Sequence, residues 1–415
     1  MSTNPLTGPI WRWVRLLASP IGGAALTSAA GLVASVLLYR LLPDADAGAF
    51  ALLTALIQIG IILGGLGQTT LTQRVYSRAE PGLYRWNRDL LHQFLLTSPA
   101  MLILAIAMGR LYQLSVAQTL FVLAGAMLGS LVTTSAGMLA SNRHYGIAAS
   151  LPRLPNGLLL VPVVIAMALP SAAGLPAVLV GFLVAAGVSL AIGWLSLNRL
   201  HEPGSRTIDL RQRGYGLAFL ASQFATLVPD YLLLAAAAFF ATPEDLALFA
   251  ALQLLFRPTQ LLQNVLAQVL TTELTRSGRP PVRRLMLAFA LATGLILVGG
   301  VLLAGPAVNL LYGGRYSPTL ALIAFVALAS GLDILETLPR SYLVGRGSRQ
   351  LLVWFGASQI TIAIAGLLVG LALVGEYGVA GAAAGAALIF LARNVASFAV
   401  FAGVRIQERR RNSAL

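Results

Sequence analysis

The chain contains no lysine: every one of its 28 cationic side chains is arginine. It contains no cysteine either, which excludes disulfides, thiolate metal sites and cysteine nucleophiles. Its three histidines, His92, His144 and His201, have no ligand-like spacing, so metal catalysis has no pattern to rest on. No Walker loop and no nucleophile–base set is present, which leaves an ATPase or hydrolase reading without support. Charge of any kind is scarce. Only 10% of the 415 residues are charged and 58% are hydrophobic, with mean hydropathy +0.82. A soluble globular chain of this length does not have that balance.

What is there is spacing. The arginines gather between Arg74 and Arg88, at Arg143 and Arg153, between Arg199 and Arg213, between Arg276 and Arg284, at Arg346 and Arg349, and between Arg405 and Arg411. Between clusters lie roughly 40 to 60 residues with few charges, enough for two helical crossings at about 20 residues each. The pattern predicts an all-α polytopic membrane protein of about twelve transmembrane helices. The apolar stretches are 21–42, 47–73, 90–109, 116–141, 151–169, 176–197, 215–241, 246–272, 285–312, 318–344, 350–374 and 378–403. They are continuous rather than alternating, which argues against a β-barrel. The net charge of +14 needs no nucleic acid, because the arginines fall in short loops where they set orientation and meet lipid headgroups.

Counted by side, 22 arginines lie in the two tails and the loops after even-numbered spans, and three (Arg40, Arg110 and Arg315) lie in the other loops. The positive-inside rule then places both termini in the cytoplasm. Arg12 and Arg15 precede an apolar run over 16–42, longer than the ~7–15 residues of a cleaved signal, so a retained first span is expected. Trp11 and Trp13 flank Arg12 as interfacial anchors, and Trp194 and Trp354 lie near span ends for the same purpose.

The chain also repeats itself. Pro43-Asp44-Ala45-Asp46 leads into Ala47-Gly48-Ala49-Phe50, and Pro243-Glu244-Asp245 leads into Leu246-Ala247-Leu248-Phe249. Basic loops ending at Arg88 and Arg284 correspond in the same way. Each half therefore holds six spans, and because six is even both halves enter from the same side, as in parallel-repeat transporters. The expected organisation is an N-terminal lobe over 1–200, a cytoplasmic linker over 201–213 and a C-terminal lobe over 214–415.

Three passages resemble one family. Leu41-Leu42-Pro43-Asp44-Ala45-Asp46-Ala47-Gly48-Ala49-Phe50 is similar to the first outer turn of Wzx-type polysaccharide and O-antigen flippases. Leu311-Tyr312-Gly313-Gly314-Arg315-Tyr316-Ser317-Pro318 resembles their turn between spans nine and ten. Gly375-Glu376-Tyr377-Gly378-Val379-Ala380-Gly381-Ala382-Ala383 resembles the glycine and alanine entry to their last helix. These flippases belong to the multidrug/oligosaccharidyl-lipid/polysaccharide (MOP) exporter superfamily. The resemblance implies two six-helix lobes around a central cavity in a bacterial inner membrane. It implies an undecaprenyl-pyrophosphate-linked glycan as substrate, in lipopolysaccharide and related synthesis, with polymerase and glycosyltransferases as associates. The lipid II flippases of the superfamily typically carry two helices more than the twelve expected here, which points away from that branch.

The few charges inside apolar stretches carry the site expectations. Asp230, Arg257, Asp333 and Arg393 fall near mid-span, with Glu336 and Arg340 closer to the cytoplasmic end. Four central charges facing lipid would cost roughly 10–14 kcal/mol, so they must pair or line a wet cavity. Gln253, Arg257, Gln260, Asn264 and Gln268 form a polar stripe at spacings of three and four on the eighth span. Pro258 is expected to kink that span. The substrate-binding set is Arg257, Arg393, Gln253, Gln260, Asn264 and Tyr231, because guanidinium holds phosphate oxygens in a bidentate fork. The alternative is that each arginine neutralises a buried acid, for instance Asp230 or Asp333. Asp230, Asp333 and Glu336 are the ion-coupling set, for a proton or sodium, and their alternative is an ion pair. Gln223 shares the Asp230 span. No catalytic residue, metal ligand or other cofactor is expected. The rival functions are a multidrug or metabolite antiporter of the same superfamily, a membrane-embedded glycosyltransferase or polymerase, and a major-facilitator transporter.

Overall fold

The computed structural model describes residues 9–79, 83–168, 174–200, 204–213, 216–275 and 282–413. Every regular element among them is helical, and the β pairing they contain is an isolated bridge between Tyr84 and Arg206. Four long helices and two broken spans fill the first half, beginning with α1 (Pro9–Leu41), α2 (Asp44–Ile59), α3 (Gln68–Arg78), α4 (Trp86–Leu111) and α5 (Val116–Ser141). Then come α6 (Tyr145–Ser150), α7 (Leu154–Leu158), α8 (Leu160–Ala168) and α9 (Leu175–Leu200). After the linker helix α10 (Leu210–Arg213), the second half holds α11 (Gly216–Leu227), α12 (Leu233–Ala237), α13 (Pro243–Thr275), α14 (Val282–Tyr312), α15 (Leu320–Arg346) and α16 (Arg349–Ser413).

Among the described residues, nine helical stretches are long and apolar enough to cross a membrane. Helix α16 contributes two crossings, because it reverses at Gly378, where φ is 57° and only glycine is at ease. The hairpin is tight: a Cβ on Gly385 would lie 2.9 Å from the Cα of Gly370. Helix α13 and the segment formed by α11 and α12 complete twelve spans.

Local chemistry sets the ends. Ser115 and Gln118 form a reciprocal capping box at the start of α5, and the Thr319 side chain accepts the Leu322 N–H at the start of α15. Three spans expected to be continuous are broken. The second passes from α2 through a π-turn (Gly60–Gly64) to Leu66 and Gly67, both at positive φ, before α3 resumes. The fifth is split by Pro152 and Pro155 into α6, a 3₁₀ turn (Leu151–Arg153), α7 and α8. The seventh carries a π-turn (Val228–Leu232) around Pro229. By contrast, α13 is continuous through Pro258.

Small residues let helices close up. Gly125 and Gly129 on α5 face Ile57 and Ile61, where an added Cβ would come within 2.6 and 2.4 Å of side-chain carbons. Two apolar clusters each draw on both halves of the chain. One joins α1 and α2 to α11–α16 on the arginine-poor side, and the other joins α3–α5 to α13–α16 on the arginine-rich side.

Candidate functional site

One of the breaks carries a mid-span charge. The π-turn in the seventh span carries Asp230 and Tyr231, and π-turns occur preferentially at functional sites. Asp230 lines a small cavity of about 30 Å³ together with Gln253 and Gln260 of α13 and Ser330 and Asp333 of α15, over a floor of Phe249, Phe256 and Phe390. That volume holds about two waters, or one small cation with a water. It does not hold a sugar. Gln263, also on α13, donates to Asp333 Oδ1 at 3.3 Å. Two carboxylates and several neutral oxygens around a space of this size make a setting for a proton or a desolvated cation.

The stripe on α13 is therefore divided. Gln253 and Gln260 turn into the acidic cavity, whereas Arg257 and Asn264 are exposed. The side chain of Gln268 lies outside the described residues. Arg257 has no ion-pair partner among the described residues. Neither Asp230 nor Asp333 neutralises it, so that alternative has no acid to name. Tyr231 is half-buried against the apolar cluster.

Arg393 is not gathered with Arg257. It is fully buried, and its Nη2 pairs with Glu336 Oε2 at 2.6 Å. Its Nε donates to Gln359 Oε1 at 3.1 Å, its Nη1 to the Ala225 carbonyl at 3.1 Å, and its Nη2 to Thr226 Oγ1 at 3.2 Å. Ser397 Oγ donates to the other oxygen of Glu336 at 2.9 Å. The arginine is thus spent within the protein, and the acid it neutralises is Glu336, not Asp230 or Asp333. Glu336 in turn is held by Arg393 and Ser397 rather than open to an ion. Arg340 Nη1 donates to the same Thr226 hydroxyl at 2.8 Å. Gln223 donates to Thr70 Oγ1 of α3 at 2.9 Å, so it ties the halves together instead of facing a ligand.

Sequence reasoning missed the contacts that close the two faces. On the arginine-poor face, Arg315 donates to the carbonyls of Tyr39 (2.8 Å) and Leu42 (3.0 Å) and pairs with Asp44. Arg40 reaches the carbonyls of Leu310 and Leu311. Two of the three family-like passages therefore meet here, one from each half. On the arginine-rich face, Glu273 at the end of α13 accepts from Arg143 Nε at 3.0 Å, Arg143 Nη2 at 3.2 Å and Tyr145 OH at 3.0 Å. Gln73 adds a 3.2 Å bond to Thr272. Behind this latch, Arg213 of the linker pairs with the buried Asp89 at 2.9 Å, and Tyr76 and the Ile208 N–H bind the same carboxylate. Each face thus carries contacts between the two halves of the chain. Arg143 is nearly half exposed and stays hydrated without its buried partner, so removing Glu273 strands no charge in the interior. Glu273→Ala is therefore expected to keep wild-type protein levels and to raise labelling of a cysteine placed at Gln73 by a water-soluble maleimide. Unchanged labelling would show that Glu273 latches nothing.

No family model matches the chain, and no curated protein matches it by sequence. Solved structures match its fold. A mutant of the Vibrio cholerae MATE transporter VcmN superposes with a TM-score of 0.63 at 16% identity, over 94% of this chain and 95% of that one. An outward-facing multidrug resistance MATE family transporter of the MOP superfamily gives 0.62 at 17%, over 95% and 94%. An inward-facing one gives 0.60 at 17%, over 92% and 94%. Across nearly its whole length, the chain has the fold of the MATE transporters of the MOP superfamily.

Proposed function

We propose that the chain is a bacterial inner-membrane flippase that moves an undecaprenyl-pyrophosphate-linked oligosaccharide by alternating access, driven by a proton or sodium gradient. The solved structures of similar fold include inward- and outward-facing states, which supports a transporter that alternates between two openings. The observation that carries the substrate class is Arg257: an exposed guanidinium halfway along a membrane helix, with no carboxylate partner among the described residues. A cation at that depth costs about 2.5–3.5 kcal/mol unless water or an anionic ligand meets it. A pyrophosphate is such a ligand. Asn264, about two turns further along the same helix and likewise exposed, offers a hydrogen bond to a sugar hydroxyl.

In this reading the lobes are residues 1–200 and 214–415, joined by 201–213. The glycan headgroup passes between them while the prenyl tail stays in lipid. Opening at the cytoplasm requires release of the Glu273 latch, and opening at the periplasm requires release of Asp44–Arg315. The coupling ion occupies the Asp230–Asp333 cavity. Polysaccharide polymerase and glycosyltransferases are the associates this role calls for.

The antiporter reading is the second, because the similar solved structures are described as multidrug resistance transporters. It predicts efflux of soluble cations, which an arginine with no acid partner among the described residues disfavours. A deletion strain separates the two. The flippase reading expects lost surface glycan and accumulated lipid-linked intermediate, restored by the gene. Normal glycan with altered drug susceptibility would favour the antiporter. Topology is a separate test: a reporter active only in the periplasm, fused after Leu415, is expected to stay silent, and a strong signal would overturn the positive-inside assignment.

A further inference from the structure

Arg393 heads the fully buried side chains by volume, and its partners say what it does. In an α-helix the carbonyl of residue 225 accepts from the N–H of residue 229. Residue 229 is proline, which has no N–H to give. Arg393 Nη1 supplies the donor instead, at 3.1 Å from the Ala225 carbonyl, and Nη2 takes the neighbouring Thr226 hydroxyl at 3.2 Å. The π-turn that carries Asp230 begins two residues later, at Val228. We propose that Arg393 is a positioning residue that holds this break in the seventh span, so that Asp230 faces Asp333 across the cavity. The proposal rests on the reading of those two acids as the ion site.

Charge neutralisation alone does not account for the geometry. Glu336 needs one cation, and Nη2 meets it. The bonds from Nη1 to Ala225, from Nη2 to Thr226 and from Nε to Gln359 are additional, and they join the twelfth span to the seventh and eleventh, as the Glu336 pair joins it to the tenth. A planar fork of fixed donors makes such a joint, and an ammonium on a flexible stem does not. The charged groups around Arg393 are Asp333, Glu336 and Arg340 of α15 and Asp230 of the π-turn. Arg340 supports the same turn through Thr226.

The test uses two variants and two readouts. Arg393→Met combined with Glu336→Met removes the pair without leaving a lone buried charge, the change that most endangers folding. Arg393→Lys keeps the charge and loses the fork. The chain has no cysteine, so spin labels attach only at introduced sites. Phe239→Cys and Leu320→Cys are exposed positions that report where α12 stands relative to α15. In reconstituted protein, both variants are expected to displace or broaden the label distance. They are also expected to move the ion concentration for half-maximal transport by about tenfold, a usual size for coupling between sites. Wild-type distances and wild-type ion dependence in both variants would overturn the proposal and leave Arg393 as a counter-ion only. If the Met pair does not fold, Arg393→Lys decides alone by the same criteria. Asp230→Asn with Asp333→Asn separates the two claims. Should ion dependence survive there, the ion-site reading falls, and the label distance by itself decides whether Arg393 holds the break.

Discussion

Arg257→Lys is expected to reach the membrane at the wild-type level and to lose transport by about 10–100-fold, the equivalent of one charge-assisted hydrogen bond of 1.5–3 kcal/mol. The charge is kept, so a role in mere electrostatic attraction would leave transport nearly intact. What lysine loses is the planar fork that matches two phosphate oxygens. Arg257→Ala is expected to express as well as the wild type, because no carboxylate among the described residues is left unpaired by removing it. Were Arg257 the partner of a buried acid, that deletion would cost about 3–5 kcal/mol and lower the protein level. Rescue of a poorly expressed Arg257→Ala by Asp230→Asn or Asp333→Asn would then assign it to structure. An Arg257→Ala protein that folds and flips normally would contradict both roles.

The second large effect concerns the cavity. Asp230→Asn and Asp333→Asn keep shape and remove charge, and Asn at 333 still accepts from Gln263. Each variant is expected to fold, since removing one of two carboxylates around a small cavity relieves like-charge repulsion. The double variant is expected to lose gradient-driven transport altogether while still exchanging substrate down its own gradient. Each single variant should weaken ion dependence by about tenfold or more. Transport that keeps its dependence on a proton or sodium gradient in both single variants and in the double one would remove the coupling assignment.

Much of the fold was legible because arginine marks the ends of spans and little else does. The turns at Asp44, Gly313 and Gly378 fall where the charge pattern puts them. The breaks inside spans were less legible. The stretch from Gly60 to Gly67 reads as one more apolar run, yet its four glycines permit the π-turn and the positive φ that divide the second span. Pro229 stands beside Asp230 in plain sight and does break its helix, whereas Pro258 does not, and nothing local distinguishes the two. Neighbours elsewhere decide: an arginine on the twelfth span supplies the donor that Pro229 lacks. The same reason hid the true partners. That four mid-span charges had to pair or be wetted followed from the cost of burying them, but which pairs with which depends on helix rotation across the bundle. Arg393 meets Glu336 over 57 residues of chain, and Glu273 meets Arg143 over 130. No periodicity records such distances.

The central claim is that this chain carries a lipid-linked pyrophosphate glycan across a bilayer. The direct measurement puts purified protein into sealed vesicles containing a fluorescent undecaprenyl-pyrophosphate oligosaccharide, and follows its exposure to a membrane-impermeant quencher. The account predicts a fast loss of protected signal, accelerated by an imposed proton or sodium gradient and abolished by Arg257→Ala. A rate equal to that of empty vesicles, in protein shown to exchange a soluble cationic compound, would contradict it.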